Sequence, residues 1–198
     1  MADADRPAPP LLVEGERVAL GPLRRDLIPT YQRWVSALEV AFGVGHLGVL
    51  TLDAEQAWYE RASSDPAAAH FTIYDRADLA PVGTCALFAI DHHHGTATFG
   101  IQLGERRGQG LGTEAARLTL DWAFHVLDLH NVELRVWAWN LAAIRAYRNA
   151  GFRAVGRLRG AHVTMGQRYD VVIMDAIPED FTGSVIQARL AVPPTERP

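Results

Sequence analysis

Apolar positions along this chain recur at two spacings, every second residue in some stretches and every third or fourth in others. Alternation over residues 17–23 predicts a first strand. Leu27, Ile28, Tyr31, Trp34 and Val35 then share one side of a helix that Asp26 is placed to cap, with Pro29 admissible in the first turn. Residues 41–50 are too broken by glycine for a helix and too apolar for a solvated linker, so a packed loop is expected. Thr51 caps a second helix, to about residue 62, that carries Trp58 and Tyr59. Residues 70–74, 82–90 and 96–103 read as strands of an antiparallel meander, turned at residues 75–78 and 91–95. A third helix over 113–127 has Ala116, Leu120, Ala123, Phe124 and Leu127 on its core face. In the strand at 132–139, Leu134, Val136 and Ala138 oppose Arg135, Trp137 and Trp139. A fourth helix over 141–150 ends at Gly151, a left-handed cap. Strands at 154–158 and 169–177 flank a loop containing Gly160 and Gly166. The proline-rich, polar ends read as a disordered segment at 1–10 and a flexible tail at 182–198, around one domain at 11–181. The element order is that of an α+β fold.

The stretch from Ile101 to Glu114, IQLGERRGQGLGTE, carries chemistry as well as structure. A strand ends there in a turn of glycines and arginines, and a helix follows. Gly108, Gly110 and Gly112 remove every second Cβ, so the backbone can take positive φ and bring its N–H groups close to a ligand. The unpaired amides and positive dipole end of the helix face the same space, which makes an anion site, most naturally for phosphate. A nucleoside-triphosphate loop is excluded because it needs a lysine and the chain has none. A dinucleotide fingerprint is disfavoured because the glycines are evenly spaced and the loop follows a hairpin strand in mid-chain.

Arg107-x-x-Gly110-x-Gly112 resembles the pyrophosphate loop of the GNAT N-acetyltransferase superfamily. A second block, Asn140-Leu-Ala-Ala-Ile-Arg-Ala-Tyr147-Arg-Asn-Ala-Gly151-Phe152, resembles that superfamily's strand-Asn-helix-Tyr-x-x-x-Gly-Phe pattern. With Phe99-Gly100-Ile101, Thr113-Glu114-Ala115 and Tyr169-Asp170, the match is similar to the branch containing the ribosomal-protein N-terminal acetyltransferases. The resemblance implies a mixed, mostly antiparallel central sheet with helices on both faces and a splayed strand pair that holds acetyl-CoA. The pantetheine arm would pair with backbone at Ile101 and Leu103. The pyrophosphate would rest on the amides of Gly108, Gln109, Gly110, Leu111, Gly112 and Thr113, with Arg107 adding charge. Asn140 would hold cofactor or local backbone, and Tyr147 would protonate the departing thiolate. A phenol near about 10 and a thiol near about 8.5 make that transfer nearly balanced. The strand where many relatives carry a basic Glu or His offers only Thr96, Thr98 and Gln102. His46, in the glycine-rich stretch beside the acceptor site, is the candidate base, and an ordinary loop histidine is the alternative. The implied activity is acetyl-CoA-dependent acetylation of a primary amine by direct transfer in a ternary complex. The amine is a protein N-terminus or a small molecule, and a non-catalytic acyl-CoA-binding or interaction module is the competing reading.

Composition narrows the partners. With 48% hydrophobic and 21% charged residues over 198 positions, the chain suits one globular enzyme domain. A net charge of −4 lacks the basic surplus of a nucleic-acid binder and suits a cationic acceptor. Cys85, the single cysteine, sits in an apolar strand, which leaves no thiol for a ping-pong route and no cysteine-based metal site. His92, His93 and His94 fall on a hairpin turn, where an exposed tract is expected and no metal site. No apolar window is long enough to span a membrane and residues 1–10 lack signal-peptide character, so a cytoplasmic location is expected, with a homodimer left open.

Overall fold

The computed structural model describes residues 8–45 and 48–190. In chain order the elements are β1 (Val13–Glu14), β2 (Val18–Pro22), a 3-10 turn (Arg25–Leu27), α1 (Ile28–Ser36), α2 (Leu38–Val44), α3 (Leu52–Ser64), β3 (Ala69–Asp75), β4 (Pro81–Asp91) and β5 (Thr96–Leu103). Then come α4 (Leu111–His125), β6 (Asn131–Trp137), α5 (Leu141–Ala150), β7 (Arg153–Thr164), β8 (Gln167–Ala176), a second 3-10 turn (Pro178–Asp180) and α6 (Val185–Leu190). The strands form one sheet in the order β1-β2-β3-β4-β5-β6-β8-β7. Every neighbouring pair is antiparallel except β5 and β6.

Strand periodicity divides the sheet into two differently covered faces. Phe71, Ile73, Leu87 and Phe99 point to one face and pack against α4, whose Ala116, Leu120, Ala123 and Phe124 are buried as their spacing predicts. Fully burying a leucine or phenylalanine contributes on the order of 1.5–3 kcal/mol, so this layer dominates the stability. On the other face Tyr31 and Trp34 of α1 pack with Tyr74 of β3 and Trp58 of α3. The Tyr31 hydroxyl lies 2.6 Å from Thr72 Oγ1, which satisfies both buried hydroxyls.

Local chemistry departs from the sequence reading at four places. Asp26 does not cap α1; it pairs with Arg24 inside the 3-10 turn at 2.9 Å, and Leu27 occupies the cap position without a side-chain bond. Thr51 does cap α3, accepting from Ala54 N at 3.2 Å. The expected loop at 41–50 is helical up to Val44, because tryptophans from β6 and the turn after it hold α2 in place. Trp137 Nε1 donates to Gly43 O at 3.0 Å, Phe42 packs on Trp139 at 4.9 Å, and Gly45 ends the helix at φ +77. The strands expected at 154–158 and 169–177 lengthen into one hairpin that absorbs Gly160 at a register shift and turns at Met165 and Gly166. From the expected C-terminal tail, residues 185–190 form α6. Its first amides, Val185 N and Ile186 N, donate to the buried Asp121 carboxylate at 2.8 and 3.1 Å. Residues 1–7 of the expected disordered segment and 191–198 of the tail lie outside the described residues.

Candidate active site

The two parallel strands separate part-way along. β5 and β6 pair at Thr96–Asn131, Ala97–Val132 and Thr98–Glu133, and beyond that point the edge of β5 facing β6 has no strand partner. A cleft of about 590 Å³ opens there, walled by Ile101, Gln102 and Leu103 of β5, the 107–113 loop, and Asn140, Ala143 and Tyr147 on the α5 side. Glu39, Val40, Gly43 and Val44 of α2 roof it. Unpaired β5 backbone in such a gap is a template for an extended amide-bearing ligand.

The loop at the cleft's end is shaped for an anion. Gly108 and Gly110 have φ of +78 and +82, and Gly110 is the residue from which α4 springs. Gly112 takes no such conformation; a Cβ there would lie 3.2 Å from Leu103 Cδ1, so glycine lets α4 close against β5. The first amides of a fifteen-residue helix are thereby aimed at the cleft. Arg107 lines it and has no ion-pair partner among the described residues. Arg106, beside it, has partners. It binds Asp75 and Asp78, and so ties the loop to the β3–β4 turn. The Leu111 side chain is core, 1% exposed, so only its amide is available, and Gln109 is exposed outside the cleft lining.

Asn140 serves the local backbone, its Oδ1 accepting from Ala143 N at 3.1 Å while the residue lines the cleft. Tyr147 lies on the same helix, its ring fixed by edge contacts with Phe99 at 6.2 Å and Phe152 at 6.0 Å. Burial pushes its phenol up to about 12. The nearly balanced transfer expected from an ordinary phenol is therefore corrected: to a thiol of unperturbed acidity it runs uphill by roughly 5 kcal/mol. A thiolate formed in the same apolar surroundings is destabilised too, which narrows the gap. Cys85 is buried 3.2 Å from Thr119 Oγ1, with its thiol pushed up to about 12 by burial, so it offers no nucleophile. His92, His93 and His94 occupy an exposed turn, with His94 paired to Asp91 at 2.8 Å. His46 lies outside the described residues.

A second cleft of about 590 Å³ sits on the α1–α3 face and meets the first at Val44, Ile101 and Gln102. Sequence reasoning missed its polar residues, Glu55 and Arg61 of α3 and His70 of β3. A signal existed for Glu55: three residues before Trp58, it falls on the helix face that carries that tryptophan inward. Glu55 is only 5% exposed, and burial raises its carboxyl above the usual range. Burial lowers the His70 imidazole, partly opposed by Asp65, so at neutral pH it is uncharged.

The model of the acetyltransferase (GNAT) domain matches residues 17–153. The chain belongs to the GNAT acetyltransferase family. Within the family it is 40% identical over 92 residues to the probable N-acetyltransferase YjcK of Bacillus subtilis (strain 168), covering 46% of this chain and 51% of that one. It is 33% identical over 117 residues to the spermidine N(1)-acetyltransferase of Escherichia coli (strain K12), covering 59% of this chain and 62% of the relative. These matches span about half to three fifths of the relatives' length. The fold is that of the spermidine N-acetyltransferase from Vibrio cholerae in complex with CoA and spermine, at a TM-score of 0.77 and 23% identity, over 83% of this chain and 98% of that one. The mixed sheet with a splayed strand pair that the resemblance implies is thus the GNAT fold, and the splayed pair is the parallel one. Of the residues that suggest the ribosomal-protein branch, Asp170 is engaged locally: its carboxylate accepts from Arg157 Nε and from Gly160 N, shaping the β7–β8 hairpin.

Proposed function

We propose that this protein is an acetyl-CoA-dependent N-acetyltransferase that acetylates a small primary amine by direct transfer in a ternary complex. The observation that carries this reading is the meeting of two clefts at Val44, Ile101 and Gln102, one with an anion-binding loop and a partly buried tyrosine, the other with a glutamate that is 5% exposed. In the first cleft the amides from Gly108 to Thr113 and the Arg107 guanidinium hold the pyrophosphate, and β5 backbone beyond Thr98 orients the pantetheine arm. Acetyl-CoA supplies the thioester. Asn140 fixes the start of α5, and Tyr147 donates its proton to the sulfur as the carbon–sulfur bond breaks. The inert Cys85 supports direct transfer over an acyl-enzyme.

A small amine is favoured over a protein N-terminus because named relatives act on spermidine and because Asp170 of the branch-like pair is occupied within its own hairpin. Purified protein incubated with acetyl-CoA and a panel of small amines and N-terminal peptides is expected to release free CoA with at least one small amine. Binding of acetyl-CoA without release for any member of the panel would instead favour a non-catalytic acyl-CoA-binding module.

A further inference from the structure

Glu55 is an anomaly in stability terms. Its residue is 5% exposed, and among the described residues its carboxylate has no hydrogen bond or ion pair. Its oxygens are not sealed from the cleft but have no partner among the described residues, and a poorly solvated carboxylate costs free energy when ionised unless something outside the chain completes it. Here the carboxylate lines an open cleft with Trp58 one helical turn away, so the missing partner enters from that cleft.

The remaining lining defines the chemistry of that partner. Val35, Leu50, Trp58 and Phe88 make an apolar enclosure large enough for an aromatic or branched aliphatic body. The charged and titratable side chains sharing it with Glu55 are Arg61 on the same helix and His70 on β3, while Cys85 borders it with its thiol turned away to Thr119 of α4; among the described residues α1, α2 and β5 contribute none. Arg61 is exposed, six residues and therefore roughly 9 Å along α3 from Glu55, on the cleft's outer side. One carboxylate and one guanidinium leave the cleft without net negative charge. A polyamine would bring several ammonium groups, of which one meets Glu55 and another meets Arg61.

We infer, building on the acetyltransferase reading above, that the second cleft is the acceptor subsite, that Glu55 takes the proton from the acceptor's ammonium, and that the cleft selects a single amine on an apolar body over a polyamine. In the step, the ammonium gives one proton to Glu55, and the freed lone pair forms the carbon–nitrogen bond to the acetyl carbon. The carbon–sulfur bond breaks as Tyr147 protonates the sulfur. The excess proton left on nitrogen restores the Tyr147 phenol by way of solvent, and Glu55 releases its own proton to solvent. Burial, which raises the Glu55 carboxyl, makes it a better base than an exposed glutamate.

The test compares wild type with Glu55→Gln and His70→Asn, using 2-phenylethylamine and spermidine as probes and free CoA as the readout. Expected for Glu55→Gln with 2-phenylethylamine is a loss of 10²- to 10⁴-fold in kcat/KM near neutral pH. That loss narrows as pH approaches the amine's own pKa, where the acceptor no longer needs a base. In Glu55→Gln the limb set by Glu55 is replaced by a rise that continues up to the amine's own pKa, whereas His70→Asn keeps the wild-type limb. Melting temperature at pH 8 is unchanged or higher in Glu55→Gln, since the variant removes an unpaired buried charge, and acetyl-CoA affinity is unchanged. Wild type prefers 2-phenylethylamine over spermidine by at least tenfold in kcat/KM. A wild-type limb that survives at the same pH in Glu55→Gln, or that vanishes in His70→Asn, overturns the assignment of the base. A preference for spermidine overturns the acceptor class. Absence of CoA release from wild type with every amine is a different result, and it defeats the acetyltransferase reading itself.

Discussion

Tyr147 combines a fixed position with an unusually weak acidity, and the two properties have separate consequences. Packing against Phe99 and Phe152 places the ring whatever the hydroxyl does, so Tyr147→Phe should keep the fold and the cleft. With its phenol pushed up to about 12, the residue stays protonated across the working range. It cannot act as a base there, and its ionisation sets no alkaline limb near 10, where an ordinary phenol would place one. Turnover of Tyr147→Phe is expected to fall by roughly 10²- to 10⁴-fold, with acetyl-CoA affinity by calorimetry unchanged, because the lost interaction belongs to the transition state. Equal turnover in the two proteins would assign Tyr147 to packing alone. At this scale the sequence pointed to the lining of one of the two candidate clefts. Arg107, Gly110, Asn140 and Tyr147 were singled out by the resemblance of two local motifs, and all four line the first cleft. Glu55 and His70 were not, because they meet only when α3 crosses β3, a juxtaposition no local spacing encodes.

Elements were legible where the chain's own chemistry decides them. Thr51 and Gly151 mark helix ends by cap and left-handed backbone, and the meander from β3 to β5 follows from alternation. α2 was not, since its sequence holds glycines at 43 and 45 and its helix depends on Trp137 and Trp139, which lie some 94 positions or more along the chain. The same dependence explains α6, whose first turn is satisfied by Asp121 from α4 at a separation of 64 to 65 residues. The loop that begins α4 supplies the prediction at this scale. Gly110→Val puts a branched residue at φ +82, a conformation that costs on the order of 1–3 kcal/mol for such side chains. It also sets a side chain among the amides that would face phosphate. Stability in urea should drop by about that amount with far-UV circular dichroism retained, and acetyl-CoA binding should be lost. Retained affinity would move the phosphate site elsewhere.

The sheet as a whole is joined unevenly. Its β1–β5 portion and its β6–β8–β7 portion are linked by only three parallel residue pairs before the strands diverge, with α4 and α5 packed across the junction. A ligand in the splay touches both portions at once, through Ile101 and Leu103 on one side and Asn140 and Tyr147 on the other. It should therefore stabilise the molecule beyond its immediate loop. Binding to the folded chain alone adds roughly 2.7 kcal/mol at a hundred times the dissociation constant. For a domain of this size each kcal/mol moves the melting temperature by about 2–4 °C, so acetyl-CoA is expected to raise it by roughly 5–11 °C. Hydrogen exchange should slow on both β5 and α5, and the Gly110→Val protein should show neither effect. A rise in melting temperature with protection confined to the 107–113 loop would mean that the ligand holds only the phosphate site and leaves the two portions of the sheet uncoupled. No rise at millimolar acetyl-CoA would remove the cleft between β5 and β6 from consideration as the cofactor site.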